Sequence, residues 1–226
     1  MEKNRFTICA NNYIDCLRQE GRYSTAHVYK HAIRSFSQFC GTQSITFSRI
    51  NRETLKRYSN YLLASRLKPN TISTYMRMLR SIYNRGVESG SAPYVPRLFH
   101  DVYTGVDVRQ KKALPATELY KLLYEDPKSE RLRRTQAIAA LMFQFCGMAF
   151  VDFAHLKKEN VRGGVLEYKR QKTGTPMLIE VQSTAWESLR ELSSDVGKDS
   201  PYLFPFLKGI KVGKEAYKEY TSALAH

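Results

Sequence analysis

Four stretches near the start of the chain place apolar side chains three and four residues apart, and that spacing leaves little choice but a bundle of helices. From Thr25 to Phe39 the set is Tyr29, Ala32, Ile33, Phe36 and Phe39, with Gly41 behind it as a stop. From Arg52 to Ala64 it is Leu55, Tyr58, Leu62 and Leu63. A third helix follows Asn70, with Ile72, Met76, Leu79 and Ile82 or Tyr83 on one face and Asn70 or Thr71 as its cap. A shorter helix is expected over residues 5–19, through Phe6, Tyr13, Ile14 and Leu17. Four helices joined by short loops make a bundle within the normal size range of a domain.

From Gly86 to Pro115 the period is lost, and the stretch carries Gly86, Gly90, Gly105, Pro93 and Pro96, then the basic run Arg109-Gln110-Lys111-Lys112 and Pro115 beyond it. It reads as an interdomain linker, longer than an ordinary loop. The second half mixes element types. Ala116 to Leu123 is expected to be helical, and Thr135 to Phe145 is apolar nearly all round, which predicts a buried helix. Gly147 breaks or bends it, and Phe150 to Lys158 resumes. Val165–Arg170 and Pro176–Val181 read as strands of a hairpin with Gly174 in its turn. Ser183 to Leu192 is a helix with Thr184 and Glu187 at capping-box spacing. Pro201 to Pro205 is extended and buried, and a last helix begins at Lys214. The expected fold class is mainly α: a four-helix domain at 1–88, a basic linker at 89–112, and at 113–226 an α+β domain with a small antiparallel sheet.

Charge decides the class of partner. Lys and Arg total 36 against 21 Asp and Glu, a net +15 with a pI near 9.7. Residues 1–105 hold +10 of it and residues 106–226 hold +5. A fold so charged repels itself, which points to a polyanion. The sequence has no apolar run long enough for a membrane span and no export signal, so a cytoplasmic protein is expected. Cys9, Cys16, Cys40 and Cys146 form no CxxC pair and are expected to be reduced thiols. The histidines show no metal spacing and no Gly-rich phosphate loop is present, so neither metal nor cofactor is expected.

Two places could carry chemistry. The third helix leaves Asn70, Thr71, Thr74, Arg77, Arg80 and Ser81 off its apolar face. Short hydroxyls with arginines suit phosphates and base edges in a major groove. Such a face is also an ordinary solvated one, and the +10 balance is what turns the reading towards DNA. At the hairpin tip stands Lys172, after Arg170 and before Thr173-Gly174. A cation on a rigid ribbon can reach one phosphate and protonate a departing 5′ oxygen, although lysines in exposed turns are common.

Context comes from longer motifs. The run Phe145-Cys146-Gly147-Met148-Ala149-Phe150-Val151-Asp152-Phe153-Ala154-His155-Leu156 followed by Tyr168-Lys169-Arg170-Gln171-Lys172-Thr173-Gly174 resembles the front half of a tyrosine recombinase (phage-integrase type) catalytic domain. The likeness is to integrases of transposons and conjugative elements. Leu67-Lys68-Pro69-Asn70-Thr71-Ile72-Ser73-Thr74-Tyr75-Met76-Arg77 resembles that family's core-binding domain, and Lys111-Lys112-Ala113-Leu114 the start of its catalytic domain. The resemblance implies a SAM-like bundle that grips double-stranded DNA and strand exchange through a phosphotyrosine without metal or nucleotide. It implies Lys172 as the hairpin lysine that serves the leaving oxygen and Asp152 as the acidic residue that supports the site. DNA contacts are expected from Lys68, Asn70, Thr71, Thr74, Arg77, Arg80, Arg109, Lys111, Lys112, Arg170 and Thr173. Relatives of full length work as tetramers on DNA, whereas this length of chain is expected to be monomeric.

Two departures stand out. The first catalytic arginine of this subgroup precedes the Gly-Met pair, where this chain has Cys146; other branches place it where this chain has Ala149. On a helix those positions share a face. Cys146 also reads as core packing beside Phe145. Secondly, no His-x-x-Arg pair or nucleophilic tyrosine follows residue 181; the pair His31 and Arg34 lies in the bundle, and Tyr217 and Tyr220 read as core or interface residues. The chain is therefore expected to be a shortened member that binds duplex DNA without cleaving it. The alternatives are a non-catalytic DNA-binding regulator or decayed integrase and, ranked lower, an RNA-binding module that stacks bases on its tyrosines and phenylalanines.

Overall fold

Apolar spacing is realised almost residue for residue in the first half of the chain. The computed structural model describes residues 5–106, 113–209, 211 and 213–225, and the chain divides into two units, 1–110 and 111–226. The first unit holds α1 (Phe6–Gln19), α2 (Tyr23–Cys40), α3 (Arg52–Ala64) and α4 (Pro69–Glu88), with a 3-10 turn at Phe47–Arg49. Gly41 ends α2 in the left-handed region at φ +67°, a conformation that costs glycine no Cβ clash. Asn51 caps α3 by accepting a 2.9 Å hydrogen bond from the Thr54 amide.

The start of α4 differs from the sequence expectation. Pro69 is its first residue and Lys68 its extended N-cap, without a side-chain cap. Neither Asn70 nor Thr71 caps it, because proline lacks an amide to satisfy and presets the helical φ one residue earlier.

Phe6, Phe36, Tyr58, Leu55, Met76 and Leu79 are fully buried at the centre of this unit. The stretch expected to begin a linker at residue 89 adds Ala92, Leu98, Phe99 and Val102 to the same core. Tyr83 donates to the Pro93 carbonyl at 2.9 Å, Arg52 to the Pro96 carbonyl at 2.8 Å, and Ser73 to the Gly105 carbonyl. As far as it is described, this segment is an arm laid on the bundle. Its four apolar anchors follow no helical or strand period, so nothing in their spacing signals burial.

The second unit runs α5 (Ala116–Tyr124), α6 (Glu130–Gln144), α7 (Phe150–Ala154), β1 (Val161–Arg162), β2 (Val165–Lys169), β3 (Pro176–Glu180), α8 (Ala185–Ser194) and α9 (Gly213–Ala225). The strands form one antiparallel sheet in the order β1-β2-β3. Leu166 faces Ile179 across the β2–β3 ladder and Tyr168 faces Met177. These side chains pack with Leu141, Phe145, Phe153, Leu189 and Phe204. The Phe153 and Phe204 rings stack at 4.3 Å.

Three expectations are corrected here. Helix α6 is not buried all round: Ala140 and Leu141 are, but Phe143 and Leu132 are 52% and 56% exposed. Helix α7 stops at Ala154 rather than Lys158, because the chain leaves it to pair with a later segment. The Leu203 amide donates to the Leu156 carbonyl at 2.8 Å and the Lys158 amide to the Pro201 carbonyl at 2.9 Å. The capping box on α8 does not form, since Thr184 already has right-handed helical angles and its side chain caps nothing. Among the described residues, no helix is long and apolar enough to cross a membrane.

Candidate nucleic-acid interface

The outer face of α4 is the first part of the site. Positions 70, 74, 77, 81 and 84 recur at intervals of four, three, four and three and so share one side of the helix. Thr74 donates its hydroxyl to the Asn70 carbonyl at 2.7 Å. Arg77 donates from Nη2 to Thr74 Oγ1 at 3.3 Å, and its Nε is buried with no hydrogen-bond partner among the described residues. The guanidinium is thus laid along the helix with one edge held by Thr74. Ser81 accepts a 2.8 Å bond from the buried Tyr29 of α2, which fixes this end of the face to the bundle. Arg80 and Lys68 are exposed and Thr71 is half-exposed.

A shallow depression continues the face, lined by Arg77, Arg80, Ser81, Asn84 and Arg85 and by one carboxylate, Glu88. Arg85 lies over the Tyr13 ring at 3.6 Å from its centroid, a cation–π contact that aims the head group. Asn84 and Arg85 were not among the expected contacts. The interval of seven from Arg77 to Asn84, two helical turns, is the signal that finds the first of them. Among the described residues, Lys68, Arg77 and Arg80 are in no ion pair; the pairs of this unit are Arg18–Asp15, Arg22–Glu20 and His100–Asp101. Three cations outside any ion pair, against the single carboxylate of Glu88, form a surface suited to phosphate.

The second part of the site is the hairpin turn, residues 170–175, in the second unit. The Arg170 amide donates to the Thr175 carbonyl at 2.9 Å and the Gly174 amide to the Arg170 carbonyl at 2.7 Å. Gly174 takes φ +69°. The Thr173 and Thr175 hydroxyls lie 2.7 Å apart. Lys172 and Thr173 are exposed at the tip and Arg170 is half-buried at its base.

Asp152 decides where this tip stands. It is 5% exposed on α7, and its Oδ1 accepts a 2.9 Å hydrogen bond from the Gln171 amide. A buried carboxylate that receives a backbone N–H makes a strong, charge-assisted bond. Its geometry makes it a positioning residue for the turn that carries Lys172. The structure therefore joins two of the residues singled out in the sequence, through the backbone of Gln171. Arg109, Lys111 and Lys112 lie outside the described residues.

Cys146 is neither core nor helical. Phe145 beside it is buried, but Cys146 is exposed at φ +57° and Gly147 follows at φ +69°. Two successive left-handed residues turn the chain sharply, and Ala149 then serves as the extended N-cap of α7. Positions 146 and 149 hence do not lie on one helix face. Both expectations for Cys146 are corrected for this reason. Tyr220 of α9 packs by its ring on Phe150 at 6.3 Å and on His155 at 5.5 Å. Burial pushes its phenol up, and the negative charge of Asp152 and the neighbouring Tyr217 push it further. Among the described residues, no three His, Cys, Asp or Glu side chains gather into a metal site.

Comparison with known proteins agrees with this geometry. Residues 5–98 match the model of the phage integrase SAM-like domain. That range takes in α1 to α4 and part of the arm after them. Over those residues the first unit is similar to a phage integrase SAM-like domain. Over both units the chain is similar to a solved Tn1549 transposon integrase in complex with a circular intermediate DNA, with a TM-score of 0.61 and 12% identity over 88% of this chain and 71% of that one. It is also similar to a lambda integrase tetramer bound to a Holliday junction, with a TM-score of 0.65 and 14% identity over 97% and 65%. A lambda integrase dimer on a COC′ core site gives a TM-score of 0.63 and 14% identity over 97% and 62%. The chain shares its fold with these solved integrases. It spans 62–71% of the length of those three solved chains. No curated protein matches it.

Proposed function

We propose that this integrase-fold chain binds duplex DNA as part of a site-specific recombination protein, and that these 226 residues hold DNA without cutting it. The observation that carries the reading is the α4 face, where Lys68, Arg77 and Arg80 stand in no ion pair among the described residues, on a unit of net +10. Thr74, Asn70 and Thr71 beside them supply short polar contacts to phosphate or base edges. In the second unit Arg170 and Thr173 would contact the backbone. Lys172 would approach the 5′ oxygen that leaves when a strand is cut, offering a proton to it. Asp152 holds that lysine's turn in place. The solved integrases of similar fold carry DNA in their structures, which supports the same partner here.

Cleavage needs more than this chain displays. A fixed guanidinium is replaced by the Cys146 thiol on a left-handed turn. Losing one such stabiliser of transition-state charge costs about 2.7–4 kcal/mol. No His-x-x-Arg pair occurs after residue 181. We therefore read the chain as binding-competent, and a role as a non-catalytic site-occupying protein is the second reading that Cys146 favours.

A gel shift with duplex DNA at 50 and 200 mM salt tests the binding. Four phosphate contacts predict an affinity loss of about a hundredfold between the two, and an affinity indifferent to salt would refute the α4 surface. A suicide substrate tests the chemistry on the same chain and on Cys146→Arg. Neither is expected to form a covalent DNA adduct, and an adduct from either would show that these residues suffice for cutting.

A further inference from the structure

We infer that the outer face of α2 is a second contact for the phosphate backbone of duplex DNA, one that is completed by proton uptake; it rests on the DNA-binding reading above. His27, Lys30, His31 and Arg34 stand at intervals of three, one and three, which places all four on one stripe of the helix, and all four are exposed. Tyr29, between the histidines, points the other way: it is buried and donates to Ser81 of α4. The stripe is accordingly on the side of α2 turned from α4, separate from the α4 face. Among the described residues none of the four is in an ion pair. A stripe of two permanent and two conditional cations with no carboxylate is complementary to a line of phosphates.

The histidines touch each other. Their ring centroids lie 4.3 Å apart. Desolvation, then His27, then Arg34 and Lys30 hold His31 below the ordinary histidine range. The charged and titratable groups of the elements packed on α2 meet its inner side instead. Tyr13 of α1 and Arg85 of α4 act on Tyr29, and Tyr58 of α3 bonds Ser35. No opposite charge from the bundle offsets the crowding of cations on the stripe. The free protein thus disfavours the charged form of His31, and a polyanion laid on the stripe favours it. Affinity must then rise as pH falls, because the complex binds more protons than the free protein.

The experiment measures duplex binding at pH 6 and pH 8 at fixed salt, with chelator in every buffer, for the wild-type chain, His27→Gln/His31→Gln and Lys30→Gln/Arg34→Gln. Wild type is expected to bind about tenfold tighter at pH 6, with a salt slope steeper by about two. The histidine variant should equal wild type at pH 8 and lose nearly all of the gain at pH 6. His100 and His155 are unchanged in both proteins, so the difference isolates the stripe. The lysine–arginine variant should lower the salt slope by about two at both pH values. All four positions are exposed, and unchanged helical circular dichroism verifies folding. A pH response that survives in the histidine variant, or wild-type binding that is indifferent to pH, overturns the stripe and leaves the α4 face standing. No binding by wild type at either pH overturns the DNA reading and the stripe together.

Discussion

The two units present their candidate contacts in opposite ways. In the first, one continuous helix both buries Ile72, Met76 and Leu79 and displays Asn70, Thr74 and Arg77. The core that holds the helix therefore also orients the site. In the second, Lys172 rides on a six-residue turn whose placement depends on one carboxylate, Asp152, nineteen residues earlier in the chain. The first surface fails only if the bundle unfolds. The second can be displaced while the core of its unit stays intact. A helix face is fixed by packing, whereas a hairpin tip is fixed by individual hydrogen bonds.

Alkali should separate the units most strongly. Burial pushes up the phenols of Tyr29, Tyr58 and Tyr83 in the first unit. Each folded phenol loses its proton at a higher pH than the unfolded one, whose value is about 10. The stability they contribute is complete below that value and falls as pH rises from it towards the folded values. Each tyrosine then removes about 1.4 kcal/mol per pH unit across its window. Among its described residues the second unit has one such phenol, Tyr220. Urea unfolding at pH 9 and pH 11 measures this. Trp186, the single tryptophan, reports the second unit by fluorescence, and circular dichroism follows both. The first unit should lose several times more stability than the second, and equal losses would contradict the burial of its tyrosines.

The hydrogen bond that places the hairpin gives the next effect. Asp152→Ala leaves the Gln171 amide without its acceptor, which is expected to cost about 1–3 kcal/mol in the Trp186 transition. Asp152→Asn keeps an oxygen that can accept the bond and should cost less. Protease cleavage at Arg170 or Lys172 should speed up in Asp152→Ala, and the transition of the first unit should not move. If the alanine variant leaves both stability and cleavage unchanged, the carboxylate does not hold the turn.

The same contrast explains what could be read before any coordinates. Helices α1 to α4 were legible because each buries one face at a fixed period and ends on a recognisable residue, Gly41 above all. The start of α4 was misjudged because Pro69 outranks Asn70 as a beginning. Thr184 was misjudged because spacing alone says nothing of its backbone angles. Helix α6 looked buried because apolar composition does not say how many of its faces have a neighbour; Phe143 has none that covers it. Strand β1 has two residues, too few to show an alternation. Lys172 and Asp152 could each be singled out by resemblance, but the bond that ties Asp152 to Gln171 joins distant positions and leaves no periodic trace. Cys146 carried no sign of its left-handed turn, since cysteine is not among the residues that favour one.

Two glycines carry the comparison to its finest scale. Gly86 lies inside α4 with ordinary helical angles, and a Cβ there would meet the Phe47 ring at 2.2 Å. Phe47 is 3% exposed and packed edge-on against Phe6 and Tyr83, so its ring has little room to retreat. Gly174 has open space around it but stands at φ +69°. Gly86→Ala should therefore cost about 1–3 kcal/mol through overpacking, although alanine is by itself the better helix former. Gly174→Ala should cost about 1 kcal/mol, all of it from the backbone. The remedies differ accordingly. Phe47→Leu should recover part of the loss at Gly86 and none at Gly174. Gly174→Asn should cost less than Gly174→Ala, since asparagine tolerates the left-handed region. Thermal unfolding of these variants, with Trp186 assigning each loss to its unit, measures both. Recovery of Gly174→Ala by Phe47→Leu, or no cost at Gly86, would mean that packing in the first unit and backbone geometry in the second are not the separate controls described above.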